Sequence, residues 1–156
     1  MPTLSTALVL GFGNVLLGDD GAGVRVMEEL RSQVEAECVD GGTLSFTLLG
    51  FVEAAASMLV IDAADIGRPP GTLALFQGVA MDAFLASARR RTVHEVGLID
   101  LLDIARLLGC LPERRALLCL QPERIDWSTS LSAPVEQALG LATMRAKALL
   151  QQWHRA

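Results

Sequence analysis

The chain has 156 residues, of which 51% are hydrophobic, and a formal net charge of −5 at pH 7. This length predicts a single domain over residues 1–156, and the hydrophobic content excludes a disordered chain. The negative charge disfavours nucleic acid and anionic membrane surfaces as partners, because both require a basic face. The one basic run, Arg89-Arg90-Arg91, is interpreted as a solvated helix end.

Single residue types exclude several kinds of active site. Lys147 is the only lysine, which excludes Schiff-base lysines, P-loop lysines and Ser-Lys dyads.

The segment 41–61 contains one charged residue, Glu53, and is interpreted as a buried helix and strand rather than a membrane span. The N-terminus does not resemble a signal peptide. The three cysteines are widely spaced among apolar neighbours and predict reduced core residues of a cytosolic protein: Cys38, Cys110 and Cys119.

Apolar runs and helical periodicity predict alternating strands and helices in the first part of the chain. The predicted elements are a strand at 7–12, a helix at about 21–35, a short strand at 37–39, a helix at about 44–56 with Thr43 as its N-cap, and a strand at 58–61. This order is typical of an α/β domain with a parallel core.

The connection after Ile61 predicts a change of strand direction. Only about ten residues, including Pro69 and Pro70, separate this strand from the apolar run at 73–76, whereas a parallel crossover needs a dozen or more. The fourth strand is therefore expected to run antiparallel to its neighbours.

The remaining elements complete a layered fold. They are a short helix near 81–90, a helix that begins at the capping box Thr92–Glu95, a strand at 116–120 and a final helix from Pro134 to about 153. We therefore predict an α/β three-layer sandwich, in which a mixed, mostly parallel sheet of about five strands carries helices on both faces.

Residues 11–23, the glycine loop, form the most distinctive segment. Gly11 and Gly13 bracket a turn after the first strand, but Leu16 stands where a dinucleotide-binding fingerprint has its third glycine. The loop ends in Asp19 and Asp20, whose charge has the wrong sign for a pyrophosphate. The segment therefore favours a cation or a polar substrate, with nucleotide binding as a disfavoured alternative.

Acidic residues follow each of the first three predicted strands. Ligands of open α/β sheets bind outside the carboxyl ends of the parallel strands, where Asp19-Asp20, Asp40 and Asp62 are expected to meet. Asp20 also fits a helix cap, and Asp40 fits a turn before Gly41. Asp62 ends an apolar strand, where a carboxylate needs a partner or a cation.

His94 is the candidate ligand of a different kind. In the first turn of a helix the dipole disfavours the imidazolium ion, which keeps the ring neutral and able to bind a metal. Two carboxylates and one histidine, with positions left open, suit a weakly bound first-row divalent ion. A structural role for His94 is the alternative, and His154, near the C-terminus, is expected to be inert.

Together these motifs resemble those of the nickel-iron hydrogenase maturation endopeptidases. The similarity is collinear from about residue 8 to Pro122, and the final helix fits it as well. Two positions depart from the family pattern: Asp20 is Glu in some members, and Leu44-Ser45 stand where the family often has a glycine. The segments that carry the resemblance are 11–23, 40–43, 59–63, 70–72 and 94–98.

The resemblance implies a cytoplasmic endopeptidase that removes the C-terminal extension of a hydrogenase large-subunit precursor after nickel insertion. The nickel-contacting positions of the family match Asp20, Asp62 and His94. The resemblance also implies that the nickel is carried by the precursor, as a recognition element, and that no organic cofactor is needed.

The group that activates the attacking water is left open. Asp20 or Asp40 would do so in an aspartyl protease, and a metal-polarised carbonyl is the other possibility. A non-catalytic, nickel-binding maturation chaperone with the same three ligands is the alternative function from a different class.

Overall fold

Five strands and five α-helices make up the part of the chain that the structure describes. The structure is a computed structural model, and it describes residues 6–41, 45–87 and 93–156, without the side chains of residues 45–46 and 93–96. The strands are β1 Thr6–Gly11, β2 Ala36–Asp40, β3 Ala55–Ala63, β4 Leu73–Gln77 and β5 Arg114–Leu120. The helices are α1 Ala22–Arg31, α2 Ser45–Ala54, α3 Val79–Ser87, α4 Val93–Leu107 and α5 Ala133–Arg155, and a single 3-10 turn, Gly18–Gly21, precedes α1.

The five strands form one mixed sheet in the order β2-β1-β3-β5-β4. Strands β1, β2, β3 and β5 are parallel, and β4 pairs with β5 in the antiparallel direction. The predicted reversal after the third strand is therefore confirmed. The Gly71 N–H donates to the Gln121 carbonyl at 2.8 Å, and the Gln121 N–H donates to the Thr72 carbonyl at 2.9 Å. The short connection thus folds straight back along β5.

Helices cover both faces of the sheet, which confirms the predicted three-layer architecture. Side chains of α1 and α5 pack on one face, against strand residues such as Val9, Leu59 and Leu118. Side chains of α2, α3 and α4 pack on the other face, against residues such as Leu10 and Val60. Strands covered on both sides lose the alternation of polar and apolar residues, which explains the continuous apolar runs of the sequence.

Two predicted boundaries need correction. Helix α1 ends at Arg31 rather than near 35, because the chain turns there and the N–H groups of Gln33 and Val34 both donate to the Leu30 carbonyl. Strand β3 is longer than predicted and runs from Ala55 to Ala63, so Asp62 lies within the strand and pairs in register with Cys119.

Other sequence predictions concern the cysteines, the helix caps and the membrane. All three cysteines are free thiols, with Cys38 and Cys119 buried as predicted and Cys110 half-buried. Among the described helices, none is long and apolar enough to cross a membrane. Thr43, Leu44, Thr92 and the run Arg89–Arg91 lie outside the described residues.

Helix α1 approaches the sheet so closely at Gly23 that a side chain there has no room. A Cβ atom added to Gly23 would lie 2.2 Å from the Ile61 carbonyl oxygen and 2.7 Å from that of Phe12. Both obstacles are backbone atoms, which cannot rotate away. The glycine therefore lets the start of α1 rest directly on the ends of β1 and β3.

We expect Gly23→Ala to lower the free energy of unfolding by about 2–3 kcal/mol, because the added methyl group forces the helix away from the sheet. Urea denaturation measures the change. The matched control is Gly140→Ala in α5, where an added Cβ would meet nothing within 4 Å. This control should gain up to about 1 kcal/mol from helix propensity. Equal midpoints for the Gly23 variant and the unmodified chain would contradict the expectation.

Candidate active site

The carboxylate of Asp20 is held at the carboxyl edge of the sheet by the 3-10 turn. Its side chain is only 4% exposed, and its Oδ2 atom accepts a hydrogen bond from the Asn14 N–H at 2.9 Å. The turn contacts β3, so Asp20 lies beside the end of that strand. Helix α1 has Gly21 as its N-cap and no side-chain cap, so the helix-cap alternative for Asp20 is wrong.

Asn14 and Gly13 set the shape of the loop around Asp20. The Asn14 Oδ1 atom accepts from the Leu16 N–H at 2.9 Å, and its carbonyl accepts from the Leu17 N–H at 3.0 Å. Gly13 has a φ of +125°, and a Cβ there would lie 1.8 Å from the Asp20 carbonyl oxygen. The loop therefore folds back onto the backbone of Asp20, which is possible only with glycine at position 13.

Asp62 is the second buried carboxylate at this edge. It is 2% exposed and lies one residue before the end of β3. Strand alternation puts it on the same side of the sheet as Met58 and Val60, which is the side covered by α4. The Phe12 N–H donates to the Ile61 carbonyl at 2.9 Å, so the start of the glycine loop is attached next to Asp62. Both buried carboxylates therefore lie where β1 and β3 end.

The backbone of α4 brings His94 to the same edge and the same side of the sheet. Residues 108–113 join the end of α4 to the start of β5, so α4 runs back alongside the strand. The 15 residues of α4 span about 22 Å and the seven of β5 about 23 Å, which places the first helical turn at the carboxyl ends of the strands. The side chain of His94 lies outside the described residues.

The three predicted metal ligands are therefore only partly described. Among the residues with described side chains, no three of the types His, Cys, Asp and Glu are grouped to hold a metal ion. His94 is not among those residues. A site formed by Asp20, Asp62 and His94 remains a prediction.

Asp40 lies apart from the two buried carboxylates. It is the last residue of the edge strand β2, is exposed, and pairs in register with Gly11. Because β1 separates β2 from β3, the backbones of Asp40 and Asp62 are about 10 Å apart. Alternation also puts Asp40 on the same side as Cys38, which packs on the α1 face. A catalytic Asp40, as the sequence predicted, would therefore have to act from the side of the sheet opposite to Asp62.

Asp19 has a function that sequence analysis missed. Its side chain is 0% exposed and accepts four hydrogen bonds. The Ser132 N–H donates to Oδ1 at 2.7 Å, while the Ser132 hydroxyl and the Glu123 N–H donate to Oδ2 at 2.7 and 2.8 Å. The Arg124 N–H also donates to Oδ2, at 3.3 Å. Asp19 therefore fastens the 3-10 turn to residues 121–132, the loop between β5 and α5.

These hydrogen bonds determine the pKa of Asp19. Burial alone would raise the pKa of this carboxyl, but the hydroxyl and N–H of Ser132 and the N–H groups of Glu123 and Arg124 outweigh burial and hold the pKa below its usual value. Asp19 is therefore a structural anion at neutral pH. Of the two carboxylates in the glycine loop, Asp20 is therefore the one that we assign to the candidate site.

Comparisons with known proteins give a consistent result. A family model described as HycI, Hydrogenase maturation protease, matches residues 24–148. The hydrogenase expression/formation protein HoxM of Cupriavidus necator is 36% identical over 151 residues, covering 94% of this chain and 74% of that protein. The hydrogenase 2 maturation protease of Escherichia coli K12 is 30% identical over 150 residues, covering 93% of this chain and 90% of that protein. The solved structure of the hydrogenase maturating endopeptidase HybD from E. coli superposes with a TM-score of 0.86 at 30% identity, covering 94% of this chain and 93% of that one.

We expect Asp19→Asn to lower the free energy of unfolding at pH 7 by about 2–3 kcal/mol, because an amide nitrogen facing the backbone donors leaves buried groups without partners. The pKa of Asp19 is lowered in the folded state, so its stabilisation is present above the unfolded pKa of about 3.9 and is lost as the pH falls through the lower folded value. The difference between the unmodified chain and the variant should therefore shrink below about pH 4.

Urea denaturation at pH 7 and at lower pH measures this dependence. The control is Asp103→Asn, which removes an exposed ion pair with Arg106 and should cost less than about 1 kcal/mol at either pH. An Asp19 variant with unchanged stability at pH 7 would show that the four hydrogen bonds do not hold the loop.

Proposed function

The chain belongs to the hydrogenase maturation protease family and is an endopeptidase, and we propose that it removes the C-terminal extension of a nickel-iron hydrogenase large-subunit precursor. Cleavage takes place after nickel has been inserted into the precursor, and the nickel is the feature that the enzyme recognises. The three free cysteines fit a reducing compartment, so the proposed location is the cytoplasm.

The observation that carries the proposal is the pair of buried carboxylates at the carboxyl edge of the sheet. Asp20 and Asp62 are 4% and 2% exposed, and the first turn of α4, which contains His94, lies at the same edge. Carboxylates that are withdrawn from water attract a divalent cation strongly, since the surroundings screen the interaction less than bulk water does. A nickel ion presented by the precursor supplies such a cation.

Three ligands from the protease leave coordination positions of the nickel ion for ligands from the precursor. The ion then bridges the two proteins and holds the extension against the carboxyl edge. A precursor without nickel has no such bridge, and its extension is not positioned for cleavage. Cleavage thus becomes a check on metal insertion.

Asp20 is the proposed activator of the attacking water, and Asp40 is the alternative. Burial favours Asp20, because a general base acts best where bulk water is excluded and its position is fixed. The Asn14 N–H supplies that fixed position through its bond to Oδ2. The exposed Asp40 lies on the opposite side of the sheet from Asp62.

The test of nickel dependence is to incubate the purified enzyme with nickel-loaded and nickel-free precursor and to measure the precursor mass. We expect loss of a C-terminal peptide only from the nickel-loaded form. The rate should fall more than about 100-fold in Asp62→Asn and in His94→Ala, because each removes a direct ligand rather than a supporting group. His154→Ala is the matched control and should cleave normally, since the other histidine is exposed near the end of α5.

The outcomes separate the two functions considered. Equal cleavage of nickel-free precursor would refute the bridging role of nickel. Binding of the nickel-loaded precursor without cleavage would favour the maturation chaperone.

A second comparison distinguishes the two candidate bases. With the nickel-loaded precursor at saturation, Asp20→Asn should abolish single-turnover cleavage, whereas Asp40→Asn should retain a rate within about threefold of the unmodified enzyme. Loss of cleavage in Asp40→Asn as well would identify Asp40 as the base and leave Asp20 as a ligand alone.

A further inference from the structure

Exposed apolar side chains lie on two loops beside the candidate site. Leu16 of the glycine loop is 50% exposed, and Trp127 of the β5–α5 loop is 82% exposed. Val15 and Ile125, on the same two loops, are exposed as well. We call these four residues the rim patch. Single exposed apolar residues are ordinary, but four on two loops joined to each other form a surface.

The pairing of the two loops puts Leu16 and Trp127 side by side. Leu17 and Ser128 form a parallel bridge, in which the Ser128 N–H donates to the Leu16 carbonyl at 3.0 Å and the Gly18 N–H donates to the Ser128 carbonyl at 2.8 Å. The residues before the bridge are Leu16 and Trp127, and the bond from the Ser128 N–H to the Leu16 carbonyl brings the Trp127–Ser128 peptide next to Leu16. Leu17 and Ser128 are half-buried at the bridge, whereas Leu16 and Trp127, the residues before them, are exposed.

The rim patch is held in place by the hydrogen bonds of Asp19. The carboxylate binds both ends of the segment that carries Trp127, at Glu123 and Arg124 on one side and at Ser132 on the other. The exposed indole is therefore presented by an ordered loop. A partner that covers an ordered surface loses little conformational entropy in the loop, which favours tight docking.

The rim patch is also continuous with the candidate site. The Leu16 N–H donates to the Asn14 side chain, and the Asn14 N–H donates to the carboxylate of Asp20. Two hydrogen bonds thus connect the patch to the proposed base. A folded protein that brings a peptide segment to Asp20 therefore comes close to this rim.

The surroundings of the rim patch indicate an apolar partner rather than a charged one. Arg124 and Asp126 precede Trp127 in the same loop, and their side chains lie 3.8 Å apart as an ion pair, so they offset each other's charge. A neutral apolar surface centred on a tryptophan is typical of the energetically dominant part of a protein–protein interface.

We propose that the rim patch docks an apolar surface of the large-subunit precursor next to its extension, a role that rests on the proposed function. Docking at the patch provides affinity for the precursor, and this affinity does not depend on whether cleavage has begun. The nickel site then determines whether the docked precursor is cleaved.

The kinetic test compares Leu16→Ser/Trp127→Ser with Leu107→Ser/Met144→Ser, a control in which other exposed apolar residues, on α4 and α5, are replaced. For the rim variant we expect KM for the nickel-loaded precursor to rise at least tenfold, with kcat within about twofold of the unmodified enzyme. The control should leave both unchanged. An unchanged KM in the rim variant, or a loss confined to kcat, overturns the proposal. Thermal unfolding of each variant verifies that the fold is intact.

A spectroscopic test makes the docking independent of cleavage. The chain has two tryptophans, so Trp153→Phe labelled with 5-fluorotryptophan reports on Trp127 alone by fluorine NMR. Nickel-loaded precursor should shift and broaden this resonance, whereas an unrelated folded protein should not. A shift without any cleavage supports docking and refutes the proposed endopeptidase substrate. Cleavage without a shift refutes docking and leaves the proposed function standing.

Discussion

The buried carboxylate of Asp19 is the interaction on which the arrangement of the site depends. It joins the 3-10 turn near the start of the chain to residues that follow it by more than a hundred positions, through four hydrogen bonds. Burying an anion is costly unless donors surround it, and here they do. The loop after β5 is thereby held against the glycine loop. The position of Asp20 follows from the turn that Asp19 anchors.

Close backbone contacts determine the other side of the same edge. Gly13 lets the loop fold onto the Asp20 backbone, and Gly23 lets α1 begin against the Ile61 carbonyl. No side chain separates these segments, and Asp20, in the turn after β1, and Asp62, near the end of β3, are both withdrawn from water. The proposed recognition of nickel depends on this burial, which the exposed Asp40 of the neighbouring strand lacks.

In the proposed mechanism, two requirements with different physical origins select the substrate. Apolar contact at the rim patch recognises the precursor as a protein, and coordination at Asp20, Asp62 and His94 recognises its nickel. Neither contact has to be strong when both must be satisfied together. An unloaded precursor that docks at the rim can then dissociate uncut, which a single tight site would hinder.

The sequence by itself determined the layered fold, the direction of β4 and the family. Continuous apolar runs required strands covered on both faces, and the short Pro69-Pro70 connection left no room for a crossover. The sequence also placed Asp62 at a strand end, although it put the end of β3 two residues too early. The helix that carries His94 was predicted from its periodicity, while the side-chain position of His94 stays a prediction.

The family resemblance selected Asp20 as a ligand, but only the tertiary structure revealed the separate role of Asp19. The two residues are identical and adjacent, and they differ because donors from residues 123–132 reach one carboxylate and not the other. Leu16 is a similar case: in the sequence it marked a missing glycine, whereas in the fold it lies beside Trp127. Local patterns determine elements, because periodicity and turn chemistry act over a few residues. The function of a single side chain depends on which distant segment the fold brings against it.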